Sequence, residues 1–182
     1  MQTFLPFADF EQCARALDSK RLGKQRVEVI QILRALTWPG YGWAHHPAVL
    51  MWKQHEEALV RYGLTCCDVW TELGFADTCA ATMRADLGAI GIEHVRPQAE
   101  LADTGALPVW LGNDDLHRSH RAALLRKDPD WYRPRFPGVP EDLPYFWPVR
   151  SEKAVQAELR RAESAVRRQQ RTAAREAKDV VP

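Results

Sequence analysis

No apolar run in the 182-residue chain approaches the ~20 residues that cross a bilayer, so no membrane-spanning helix is expected. No C-x-x-C spacing pairs the four cysteines, Cys13, Cys66, Cys67 and Cys79, and no secretory leader precedes them. Buried thiols in a reducing cytoplasm are therefore expected, rather than disulfides or a structural zinc site. The chain has no internal repeat, and no segment alternates apolar and polar residues as a half-buried strand does. Net charge is also scarce. The balance of 25 basic against 24 acidic residues leaves +1, which excludes steering of the whole molecule toward nucleic acid and leaves only a local patch to do so.

What remains is a chain able to fold. An apolar fraction of 46% and seven tryptophans are enough for one domain with a real core. Its charge is unevenly placed: bases gather at Lys20–Arg34 and Arg118–Arg135, and acids dominate between Glu56 and Asp103. Asp9 is a candidate N-cap for a first helix that buries Phe10, Cys13, Ala14 and Leu17. A second helix follows to about Thr37, and Gly/Pro punctuation then makes Trp38–Trp43 a loop. His46-Pro47 starts a third helix that should close at Gly63, followed by a short one over 64–74. Asp77 caps another that ends near Gly88 or Gly91. Ile92 to Gly105 lacks a period and reads as loop. Asn113 or Asp114 starts a helix through Leu124, and Asp128 to Val149 is proline- and aromatic-rich with little regular structure. Ser151 opens a long charged helix to about Lys178 with a thin apolar seam. The expectation is an all-α protein: a compact multi-helix domain over 1–150, then a charged C-terminal helix and tail over 151–182.

The most telling stretch is Asp18 to Gln31, D-S-K-R-L-G-K-Q-R-V-E-V-I-Q. At about 100° per residue, Arg21, Lys24, Gln25, Glu28 and Gln31 share one helix face, and Leu22, Val29, Ile30, Leu33 and Leu36 share another. The second face suits a core. The first sets one carboxylate among cations, which favour its ionised form. Such a face can grip a polyanion and hold a carboxylate ready for positive charge at a sugar. It could equally be a solvated face with pairs such as Lys24–Glu28.

Three other clusters bear on chemistry. Trp38, Tyr41 and Trp43, beside His45 and His46, offer planar faces that could stack on bases or wedge a duplex, or could simply fill the core. His117 and His120 lie at i,i+3 in H-R-S-H-R, where they could bind a metal or, with Arg118, Ser119 and Arg121, a phosphate. Lys127 to Phe136 (K-D-P-D-W-Y-R-P-R-F) interleaves arginine with aromatics, which suits a distorted strand or proline-rich packing over the core.

The pattern L-D-S-K-R-L-G-K-Q-R-V-E at residues 17–28, then His46-Pro47, then S-H-R-A-A-L-L-R-K-D-P-D-W-Y at 119–132, resembles the pyrimidine dimer DNA glycosylase family. The likeness is patchy over residues 1 to about 149, and the helix from Ser151 lies outside it. The resemblance implies a small, all-helical repair enzyme without a cofactor, in which the N-terminal α-amine attacks C1′ and a glutamate stabilises the resulting cation. Glu28 stands at that glutamate. Arg21 stands where the family has a DNA-contacting histidine, and Trp131-Tyr132 stand at its C-terminal aromatic contact. One feature departs from the family pattern: Gln2 is too large for efficient removal of the initiator methionine, so the amine would belong to Met1. The stretch before Glu28 is also several residues longer than in the family.

The resulting expectation is a monomer that removes a damaged or modified base, such as a pyrimidine dimer, from duplex DNA. Glu28 and Met1 are the catalytic pair, and a lyase step is possible because an α-amine can form an imine with the sugar. DNA would be held by Arg21, Lys24, Gln25, Arg26, His46, His117, His120, Arg121, Trp131 and Tyr132, with Trp38, Tyr41 and Trp43 stacking. No metal or membrane is involved, the location is cytoplasmic at the nucleoid, and the C-terminal helix docks on its own domain or a protein partner. The rivals are a non-catalytic DNA-binding protein of the same fold, a metal-dependent hydrolase using His45, His46, His117 and His120, and a scaffold acting through its C-terminal helix.

Overall fold

The computed structural model describes residues 1–149 together with Gln156, Arg160, Ser164 and Arg167. Met1–Val149 forms one compact unit. The helix expected from Ser151 lies outside the described residues apart from those four positions, which are helical. Among the described residues there are eight helices and no strand, in line with the all-α expectation.

An extended arm, Met1 to Pro6, leads into α1 (Phe10–Ala16), where the Asp9 side chain accepts from Gln12 N at 2.7 Å as the expected N-cap. Asp18 then caps α2 (Ser19–Thr37) by accepting from Arg21 N at 3.1 Å. Leu22, Val29, Ile32, Leu33 and Ala35 form the buried stripe of α2, while Ile30 and Leu36 reach the core only at its edge. The stripe packs on α4 (Glu56–Glu72) and α5 (Cys79–Gly88). His46 opens α3 (Pro47–Leu50), its Nδ1 accepting from Ala48 N at 3.1 Å. Further along, Asn113 caps α7 (Asp114–Leu125) and Asp128 caps the one-turn α8 (Pro129–Tyr132).

Two expectations about helix limits are corrected. The helix from Pro47 stops at Leu50, and a single helix then runs through Gly63 to Glu72 in place of the two expected around that glycine. Gly63 is a packing glycine. A Cβ there would stand 2.7 Å from Val29 Cγ1 and collide with Met83 Sδ, so its absence lets α4 cross α2 and α5 closely. The stretch 92–105 is also not all loop, because Gln98–Asp103 forms α6. Its Leu101 is fully buried, and packing stabilises a turn too short to show a period in sequence. The cysteines are free, with Cys13, Cys66 and Cys67 buried. Trp52 and Trp110 are core residues, edge to face at 5.0 Å.

The tight crossing can be tested. In an open helix Gly→Ala is worth about 1 kcal/mol of stabilisation. At position 63 the overlap with Val29 and Met83 should reverse the sign, so that Gly63→Ala loses about 1–3 kcal/mol in urea unfolding with an unchanged m-value. A stabilised variant would contradict the close approach.

Candidate functional site

The arm carries its backbone through the core, where Thr3, Phe4 and Leu5 are buried, and a segment outside any helix or sheet must find its hydrogen bonds elsewhere. Side chains supply them. Phe4 N donates to Gln25 Oε1 at 2.8 Å, and Gln25 Nε2 donates to Gln2 O at 3.2 Å. The Tyr62 hydroxyl lies 2.8 Å from Phe4 O and 2.9 Å from Gln25 Oε1. Trp52 Nε1 donates to Thr3 Oγ1 at 3.0 Å. Leu5 is held from both sides: its N–H donates to His120 Nδ1 at 2.9 Å, and its carbonyl lies 2.8 Å from His117 Nδ1.

These contacts define both imidazoles. Gly112 N donates to His117 Nε2 at 3.0 Å, so Nδ1 carries the proton given to Leu5 O. His120 accepts at Nδ1 and therefore carries its proton on Nε2. Burial pushes the His117 pKa down, with Arg121 adding to it, and burial with neighbouring His117 pushes His120 down to about 3. Both histidines were expected to hold phosphate, and that expectation is corrected. They are buried, neutral clamps on the arm.

The clamp delivers the N-terminus to Glu28. Glu28 Oε2 accepts from Gln2 N at 3.1 Å and lies 3.8 Å from the Met1 amine, while Lys24 Nζ lies 3.4 Å from Oε1. Met1 and Glu28 have side chains only 6% and 5% exposed, so the pair sits at the floor of its cleft. That open cleft, about 390 Å³, is lined by Met1, Gln2, Phe4, Gln25 and Glu28 with Lys20, Arg21, Lys24 and Lys127. Every charge in it except Glu28 is positive. Lys20 and Lys127 would have been hard to select in sequence, since bases near a helix start are common and Lys127 is 99 residues from Glu28 (127 − 28).

Several residues expected at the DNA surface hold the scaffold instead. Tyr132 is fully buried, and its hydroxyl donates to Asp18 Oδ2 and accepts from Asp18 N at 3.2 Å. Arg21 pairs with Asp18 at 3.0 Å and Asp128 at 3.2 Å and donates to Lys127 O at 2.8 Å, which ties the start of α2 to α8. Burial raises the Asp18 pKa, but the hydrogen bonds from Tyr132 and Arg21 outweigh it and leave a net lowering. Arg26 is buried against Asp77 and stacks over Trp70 at 4.1 Å. Gln25, 1% exposed, serves the arm. Arg121 is half-buried, its Nε donating to His117 O at 3.3 Å. Trp131 is 37% exposed with Arg135 over its ring and Nε1 donating to Ala16 O at 3.2 Å. Of the aromatic loop, Trp38 and Trp43 are exposed and Tyr41 is half-buried. Among the described residues no three His, Cys, Asp or Glu side chains gather as metal ligands, so His45, His46, His117 and His120 are not brought together as the metal reading requires.

The clamp predicts a pH signature. His117, His120 and His46 all have folded pKa values below the ordinary 6.5, so unfolding takes up protons as pH falls. Their contribution is complete above about 6.5 and declines as pH drops toward their folded values. Unfolding free energy should therefore fall as pH drops below about 6.5, and His120→Gln should flatten that fall. A flat wild-type profile would contradict neutral, buried imidazoles.

Comparison with known proteins supplies one finding: residues 1–83 match the family model described as pyrimidine dimer DNA glycosylase, which supports membership of that family. That segment holds the arm, the whole of α1 to α4 with Glu28 on α2, and the start of α5. No curated protein and no solved structure matches the chain significantly.

Proposed function

We propose that this chain, with membership of the pyrimidine dimer DNA glycosylase family supported by its first 83 residues, cuts the N-glycosidic bond of a damaged base in duplex DNA at the Met1–Glu28 cleft. One observation carries the reading. A terminal amine and a buried carboxylate meet at the floor of a cleft whose other charges are all positive. Polyphosphate strands are drawn to such a surface, and Lys20, Lys24 and Lys127 stand where phosphates flanking one sugar can be held.

The chemistry follows from the pair. The lone pair of the neutral Met1 amine bonds to C1′ while the N-glycosidic bond breaks, and the base leaves with that electron pair and takes up a proton. Glu28 offsets the positive charge that develops at C1′. Ring opening gives an imine between Met1 and the sugar. Loss of a C2′ proton with departure of the 3′-phosphate then cuts the strand. Because Glu28 also accepts from Gln2 N, the carboxylate fixes the nucleophile as well as facing the reaction. No metal or other cofactor takes part.

Borohydride reduces such an imine to a stable amine, which makes the reading testable. Ultraviolet-irradiated duplex and borohydride should yield an adduct that maps to the N-terminal peptide and is lost when the amine is acetylated. Glu28→Gln should slow base release about 10²–10³-fold while leaving DNA affinity largely intact. Full base release by Glu28→Gln would remove Glu28 from the chemistry. An adduct on an internal lysine would remove Met1.

A further inference from the structure

Residues 141–148 form neither helix nor strand, and Pro144 and Pro148 carry no N–H, so this stretch must be fixed by partners outside itself. Helix α7 and the residue after it supply them. Arg126 donates to Glu141 O and, at 3.1 Å, to Leu143 O, and Phe146 N donates to Ser119 Oγ at 3.1 Å. Held by these anchors, Tyr145 lies nearly flat on His120, with ring centroids 4.5 Å apart and planes 23° apart. Trp147 packs against Tyr145 at 4.5 Å. The Tyr145 hydroxyl stands 3.4 Å from His120 Nδ1, the nitrogen that accepts from Leu5 N at 2.9 Å.

We propose that Tyr145 is a positioning residue for the reaction at the Met1–Glu28 cleft. Stacked on His120, it holds the imidazole toward Leu5 and so keeps the arm, and the amine at its end, in place. The inference rests on the reading of the cleft given above.

Two observations support it. First, His120 Nε2 is buried and has no hydrogen-bond partner among the described residues, so that side of the ring does not fix its orientation. Orientation then depends on Leu5 N at Nδ1 and on the flat face of Tyr145. A stacked ring resists the tilt that would carry Nδ1 away from Leu5 N. The hydroxyl contact at 3.4 Å is long for a hydrogen bond, so the ring carries more of the effect than the oxygen. Second, Tyr145 meets the arm near its other end. Burial raises the pKa of its phenol, and a hydrogen bond from the Gln2 side chain acts against that rise. Gln2 N is the group that donates to Glu28 Oε2 at 3.1 Å, one residue from the amine. Tyr145 thus bears on the arm at residue 2 directly and at residue 5 through His120. The chemistry is sensitive to such support, because misplacing a reacting group by about 1 Å can cost ~10²-fold in rate.

Borohydride trapping on duplex with a preformed abasic site reads the placement of the amine without requiring base release. At saturating protein, Tyr145→Leu should form the N-terminal adduct about ten-fold more slowly than wild type while DNA affinity is kept. Tyr145→Phe retains the stacked ring and should recover most of the rate. Amide exchange in Tyr145→Leu should quicken more at Leu5 than at Phe4, which Gln25 holds. Because Tyr145 acts mainly through His120, adding Tyr145→Leu to His120→Leu should slow trapping little beyond His120→Leu alone. Losses that simply multiply would overturn the positioning role. DNA affinity lost in step with the rate would also overturn it, since that marks general loss of structure. A wild type that forms the adduct beside a Tyr145→Leu variant of full rate rejects the role of Tyr145 alone. A wild type that forms no N-terminal adduct rejects the reading of the cleft and the role of Tyr145 with it.

Discussion

Everything at the candidate site depends on how an extended, unpaired arm is held in the core of a helical protein. A helix satisfies its own backbone, but Met1 to Pro6 cannot, and leaving its buried polar groups unpaired would cost about 1–3 kcal/mol each. Gln25, Tyr62, Trp52, His117 and His120 remove that cost by meeting the arm from α2, α4, α7 and the residues after α3. The arrangement is specific because each partner is buried and has few alternatives. The neutral state of both histidines is part of it, since a protonated His120 could no longer accept from Leu5 N. One consequence is chemical: a chain terminus, ordinarily the most mobile part of a protein, is delivered to one carboxylate oxygen.

The cationic side chains divide by type. Arginines bind defined carboxylates: Arg21 with Asp18 and Asp128, Arg26 with Asp77, Arg34 with Asp86, Arg96 with Glu57. Planar guanidinium groups suit such fixed pairings. Of the cleft's lysines, Lys24 is 71% exposed even while 3.4 Å from Glu28, and Lys20 and Lys127 are exposed too. Compact ammonium groups on flexible stems suit phosphates whose positions shift as a duplex bends. Counting bases along the chain cannot separate the two roles, because the separation depends on which carboxylates the fold brings near.

Much of this was legible in the sequence. The all-α class, the caps at Asp9, His46 and Asn113 and the end of α2 all rest on local rules, and local rules survive folding. What failed was nonlocal. Gly63 looked like a terminator because sequence shows only that a side chain is absent, whereas its role is set by Val29 and Met83 on other helices. His117, His120 and Tyr132 looked like DNA contacts because polar residues among arginines suggest a surface. Their partners, Leu5 and Asp18, are more than 110 residues away along the chain, as the separations of 115, 112 and 114 show. The fold divides the mixed polar face of α2: Lys24 is exposed at the cleft and Glu28 lies at its floor, while Gln25 bonds the arm and Arg21 ties the helix to α8.

Amide hydrogen exchange at Gln2, Phe4 and Leu5 tests the central claim most directly, because these N–H groups donate to Glu28, Gln25 and His120 respectively. The clamp predicts protection of Phe4 and Leu5 comparable to the core of α2 and α4, with Gln2 slowed as well. Exchange of all three near the rate of an unstructured peptide would mean that the arm is not held, and that the amine has no fixed place beside Glu28.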